Sequence, residues 1–207
     1  MKYKWIIGAS AFLDVAYDAW CRAHPDTQVE KITLAQKTTY DFDLSALDSL
    51  SPCDGTAFVA FDERFGNFKR LELMAAVMER GFKLEPFISP NVIISGDVQV
   101  GRNAFIGDGA ILGYGSRIGY NSVLLPGVQL GTGVHIRPSC WLEAGVLVGD
   151  NAKIGTHCTL RSGVMVAPHI IIGKNCYLDW PRRYEKNIAP KTIFDHRYDS
   201  PIYTYEI

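Results

Sequence analysis

The sequence has no excess of either charge. Lysine and arginine together number 21, aspartate and glutamate 22. It therefore carries no electrostatic footprint for nucleic acid or a membrane surface. No apolar run is long enough to span a bilayer. The N-terminal stretch WIIGASAFL superficially resembles the apolar part of a short signal peptide, but it ends at Asp14 without a convincing cleavage site. A buried strand leading into a helix is the better reading. Cysteine is scarce, with five in 207 residues, an odd number that does not make a disulfide framework. These absences make a cytoplasmic protein the expectation. A GxGxxG loop is also missing, because Gly8 is the only glycine near the first strand. No NAD site is inferred.

The length allows one or two domains with a real core. Residues 1–85 read as a small α/β domain with a parallel sheet. Strands are predicted over Trp5–Ala9, Val29–Leu34 and Thr56–Phe61. A helix is predicted over Ala11–Ala23, with Phe12, Ala16 and Trp20 at helical spacing and Ser10 as its N-cap. A second helix is predicted from an Asn67 cap to Arg80, with Leu71, Met74, Val77 and Met78 inward and Gly81 as the stop. The turn Gly8-Ala9-Ser10 joins the first strand to the first helix. Amides at such a helix start favour a phosphate; a plain turn fits the residues equally well.

From Ile88 to Leu178 every sixth residue is aliphatic, sixteen positions without a failure. Neither a helix period of 3.6 nor a strand period of 2 holds that register. A short fixed period marks a solenoid, in which each repeat buries its apolar residue by stacking on its neighbours. One hexad makes a short strand and a corner, so three make a triangular coil. The position three after each aliphatic is Gly, Asn, Asp, Ser or His, which tolerate the positive φ of a tight corner. The pattern matches a hexapeptide left-handed parallel β-helix over residues 86–178.

The residue before each aliphatic points outward, and these residues sort onto three faces. An aromatic face carries Phe105, Val123, Trp141, Thr159 and Tyr177. An aliphatic face carries Ile93, Ile111, Gln129, Leu147 and Met165. A polar face carries Gln99, Arg117, His135, Lys153 and Ile171. Two apolar faces predict cover by other chains, and a homotrimer closes most naturally. The edge between those faces holds Asp108, Leu125, Pro126, Glu143, Ala144, Arg161 and Ser162. Residues 179–207 form an aromatic C-terminal tail with Trp180, Tyr184, Phe194, Tyr198, Tyr203 and Tyr205. It breaks the repeat and is expected to pack on the coil or on a neighbouring chain.

Taken together, the strand–GAS–helix unit, TAFVAF, and GFKLEPFISPNVIIS leading into hexads resemble the sugar acyltransferases typified by the bacillosamine-pathway N-acetyltransferase and the sialic acid O-acetyltransferases. The resemblance covers about residues 4–178. It implies a nucleotide-sugar held by the N-terminal domain, at Gly8, Ala9 and Ser10, and an acetyl-CoA or other acyl-CoA between adjacent helices of a trimer. It also implies a histidine general base beside an acidic residue, because a poor nucleophile must lose a proton as it attacks a thioester. In the matching segment, Leu142-Glu143-Ala144-Gly145, the acidic position is Glu143 and the base position is Ala144. The position of a second family histidine is Thr159. The family's closing coils are replaced by the aromatic tail.

The remaining candidates are weighed on the residues. Glu143 and Arg161 are one coil apart and form either a salt bridge or, with Glu143 desolvated, an unusual base beside a substrate-binding Arg161. His157 is close in sequence to Thr159 and is the candidate partner, although it stands in a corner slot where filling a turn is the simpler role. His135, His157 and His169 fall on one face and two corners, unlike a three-histidine zinc site. Cys140, Cys158 and Cys176 stack as small corner residues, and no metal is expected. The resulting expectation is an N- or O-acyltransferase acting on a nucleotide-activated amino sugar in surface-polysaccharide synthesis. The alternative is a catalytically degenerate relative that binds nucleotide-sugar or serves as a structural or regulatory trimer.

Overall fold

The computed structural model describes residues 3–38 and 40–204, apart from the Phe65 side chain. The chain divides into two compact units, the first ending at Phe87 and the second starting at Ile88.

In the first unit, β1 (Tyr3–Gly8) lies between β2 (Gln28–Thr33) and β3 (Gly55–Ala60), all parallel. The central position explains the apolar run of β1: a strand flanked on both sides and covered on both faces needs no polar alternation. Gly8 is required there, since a Cβ would meet the Ala60 carbonyl oxygen at 1.7 Å. The strands begin one or two residues earlier than the sequence predicts, and α1 (Ala11–Ala23) falls where predicted. Ser10 does not cap it. Its φ is 75° and its side chain makes no capping bond.

The second helix, α2 (Phe68–Glu79), buries Arg70, Leu73, Met74 and Val77. This stripe differs from the predicted one because the chain enters through a 3-10 turn, Arg64–Asn67. Asn67 is fully buried with φ 65° and makes no capping bond to α2. The buried Arg70 guanidinium donates to the carbonyls of Phe61 and Asp62 at 3.4 and 3.2 Å, which makes its burial tolerable. Gly81, at φ 88°, ends the helix as predicted.

The second unit is a parallel solenoid of two-residue strands. Within the hexads each strand pairs with the one 18 residues later, for example Val123↔Trp141 and Trp141↔Thr159. Of the sixteen periodic aliphatics, the thirteen from Ile106 to Leu178 are buried. Ile88, Ile94 and Val100 are less covered, because the first coil has a coil neighbour on one side only. Every corner residue from Asp97 to Asn175 has φ between 54 and 82°.

The tail continues the stack. Arg183–Tyr184 pairs with Met165–Val166, Ile188 bridges to Ile172, and Thr192–Phe194 pairs with Tyr177–Leu178. It thus adds one irregular coil touching all three faces. Ile202–Tyr203 then folds back antiparallel on Thr192–Phe194. Inside this coil Trp180 and Tyr184 meet Phe194 edge-on at 5.0 and 5.1 Å, and the Arg182 guanidinium lies 4.5 Å over Trp180. These contacts give the last coil an aromatic core where the hexads stop. Tyr205 lies outside the described residues.

Candidate active site

The three faces differ in exposure. On the aromatic face, Phe105, Val123, Trp141 and Thr159 are each at most 5% exposed within the single chain. The aliphatic face is open: Ile93, Leu147 and Met165 are exposed. It carries a groove of about 410 Å³ lined by Ile111, Gln129, Leu147, Met165, Pro168 and Arg183.

Between these faces runs the edge that carries Glu143 and Arg161. The parallel register puts Arg161 one rung above Glu143, and the two form an ion pair. The second Glu143 oxygen accepts from the Ser162 amide at 2.9 Å and its hydroxyl at 3.3 Å. Arg161 Nε donates to the Tyr177 hydroxyl at 2.7 Å. Burial alone would lower the Arg161 pKa; the bonds to Glu143 and Tyr177 outweigh it and hold the guanidinium firmly charged. Both Glu143 oxygens are thus engaged by donors, so the geometry is that of an anchored salt bridge.

His157 stands at the corner that precedes Thr159–Leu160, whereas Glu143 follows Trp141–Leu142. The two lie at opposite ends of the aromatic face, and the fold does not bring them together. His157 belongs to a corner column with Asn103, Asn121, Ser139 and Asn175. In that column Asn103 donates to Asn121 at 2.9 Å and Asn121 to Ser139 at 3.1 Å. The cysteine column beside it is buried. Cys140 and Cys158 each donate to a glycine carbonyl one coil on, at 3.0 Å, as small corner residues should.

Gly8, Ala9 and Ser10 form the β1–α1 turn of the first unit, apart in the chain from the edge. The Ser10 hydroxyl is buried without a hydrogen-bond partner among the described residues. Asp14 in the first turn of α1 is tied to Lys31 at 2.8 Å.

One group escaped the sequence reading. Asp179 follows Leu178 in the same edge column as Glu143 and Arg161, and its Oδ2 lies 2.6 Å from His196 Nδ1. The Asp179 side chain is 21% exposed and that of His196 69%. Among the described residues no partner bonds to the His196 Nε2. The eighteen-residue step could have flagged Asp179. Nothing periodic could have flagged His196, which arrives through the irregular tail. Asp195, beside it, is clamped by the Arg197 side chain and amide, which hold its carboxyl well below the usual range. Asp179, Asp195 and His196 are the one group among the described residues whose ligand atoms approach closely enough for a metal. With Asp195 neutralised by Arg197, only two donors remain, fewer than a zinc site uses.

The fold has solved counterparts. A histidine mutant of perosamine N-acetyltransferase from Caulobacter crescentus, in complex with CoA and GDP-perosamine, is similar over 93% of both chains, at 20% identity and a TM-score of 0.63. PerB from the same organism, in complex with CoA and GDP-perosamine, is similar over the same shares at 21% identity and a TM-score of 0.61. WeeI from Acinetobacter baumannii is similar over 96% of this chain and 100% of its own, at 16% identity and a TM-score of 0.50. The chain thus shares its fold with these solved structures. No protein-family profile matches the sequence, and no curated protein matches it.

Proposed function

We propose that the protein transfers an acyl group from an acyl-CoA to the amine or hydroxyl of a nucleotide-activated sugar. The observation that carries this is the open aliphatic groove beside an edge bearing an oriented histidine. The groove offers apolar wall to a pantetheine arm, and the two Caulobacter crescentus proteins named above were solved in complex with CoA and GDP-perosamine. The Gly8-Ala9-Ser10 turn is the candidate anchor for the nucleotide-sugar phosphates, as the resemblance implies.

With Ala144 at the family's base position, His196 is the group on this edge able to accept a proton. Its corner column is that of Ala144, three rungs on, roughly 14 Å away at sheet spacing. The reaction centre would therefore lie near Met165, Pro168 and Arg183. There the sugar nitrogen or oxygen bonds to the thioester carbonyl carbon and its proton passes to His196 Nε2. The carbon–sulfur bond breaks and CoA leaves as the thiolate. Asp179 holds the ring and stabilises the imidazolium. A cytoplasmic homotrimer in surface-polysaccharide synthesis remains the setting this role suits.

A second reading is favoured by the locked Glu143–Arg161 pair and by Ala144: a non-catalytic relative that binds nucleotide-sugar or acts as a structural or regulatory trimer. Thioester cleavage with UDP-, dTDP- and GDP-amino sugars, measured beside sugar binding, separates the two. Turnover with any pair supports the enzyme. Binding without turnover across a broad acyl-CoA panel supports the second reading and sinks the first.

A further inference from the structure

The polar face carries a ladder of basic side chains. Arg117, His135 and Lys153 are Cα partners on three successive rungs, and Arg137 follows at the adjoining corner. No ion pair or hydrogen bond is made by the Arg117, Arg137 or Lys153 side chains among the described residues. No carboxylate stands in the face itself, which reads Gln99, Arg117, His135, Lys153, Ile171 from rung to rung. Asp150, in the corner before Lys153, accepts from the Thr132 amide at 2.8 Å. Like charges directly opposite in a sheet destabilise it, so the fold alone gives no reason for this arrangement. The crowding shows on His135. Burial first, and then Arg117, Lys153 and Arg137, push its pKa below the ordinary imidazole value.

Two hollows flank His135. One of about 390 Å³ is lined by Gln99, Arg117, Gly119, His135, Arg137 and Pro138. The other, about 350 Å³, is lined by Gly133, His135, Asn151, Lys153, His169 and Ile171. A guanidinium fork matches phosphate oxygens two at a time, and an ammonium adds a point charge. From Arg117 to Lys153 the cations span roughly 10 Å at sheet spacing. That length suits two linked phosphates better than one.

We propose that this face binds a diphosphate group, with Arg117 and Arg137 on one side of His135 and Lys153 on the other. The inference does not depend on acyl transfer. A diphosphate is carried by inorganic pyrophosphate, by CoA and by a nucleotide-sugar, and the three sources are separable by experiment.

The full-length protein, with histidine side chains labelled, is titrated with inorganic pyrophosphate, inorganic phosphate, CoA and a nucleoside diphosphate, following the His135 ring signals. Saturable shifts with pyrophosphate, weakened by added salt and weaker with monophosphate, are expected. Arg117→Gln and Lys153→Gln should each loosen binding at least tenfold, while Arg117→Lys, which keeps the charge, should loosen it less. Tighter binding of CoA or of the nucleoside diphosphate than of pyrophosphate identifies the carrier. Absence of a saturable His135 shift with all four ligands overturns the proposal. So does equal binding by monophosphate and pyrophosphate, or unchanged affinity in both glutamine variants with their folds intact by circular dichroism.

Discussion

Glu143 and Asp179 occupy the same column of the same edge, two rungs apart, yet their neighbours give them opposite characters. Glu143 meets a guanidinium and a backbone amide. Arginine does not release its proton in any ordinary pH range, so that carboxylate is fixed in place and electrically spent. Asp179 meets an imidazole, a side chain that can both accept and donate a proton. Position on the scaffold is shared, and the two carboxylates differ in the partner each meets.

The sharpest way to break that contrast is to remove the imidazole. His196→Ala should lower the turnover of thioester cleavage by about 10²–10⁴, the usual contribution of a general base. A loss of less than about threefold would exclude His196 as the base. Free imidazole added to that variant should restore part of the rate, which a purely structural role would not allow. Asp179→Asn should cost less than His196→Ala, and in kcat more than in KM, because the substituted side chain can still hold the ring but no longer stabilises its cation. Glu143→Gln should leave turnover within a few-fold of wild type. Its cost is in stability, about 1 kcal/mol for a partly exposed pair, read as a lower urea midpoint. Turnover abolished by that change would reverse the assignment of the two carboxylates.

The smallest effect concerns acid. Arg197 depresses the Asp195 pKa in the folded protein. The associated stability is present above the unfolded aspartate value, about 3.9, and is lost as pH falls through that value toward the lower folded one. Trp180, whose indole donates to the Asp195 carbonyl at 2.9 Å, should report the loosening by fluorescence below about pH 4 and stay unchanged between neutrality and pH 5. An onset well above that range would point to another group.

Where the sequence was periodic it was legible. The aliphatic hexads predicted the buried stack, and the Gly and Asn corners predicted positive φ at residues as unlike as Gly109 and His157. Legibility failed where a residue's fate depends on what arrives from elsewhere in the chain. Asn67 looked like a cap because nothing local announced the 3-10 turn before it. The candidate base was hidden for the same reason: Asp179 obeys the eighteen-residue step, while His196 reaches it through a segment without a period.

The buried Asn103–Asn121–Ser139 column has a consequence for how such a chain can change length. Each link joins residues 18 apart, so a single inserted residue would turn a core aliphatic outward and break a polar link in the same stroke. Additions that keep both come in whole coils, which makes the length of this region quantised. Finer variation is left to stretches outside the hexads, such as the tail that carries His196.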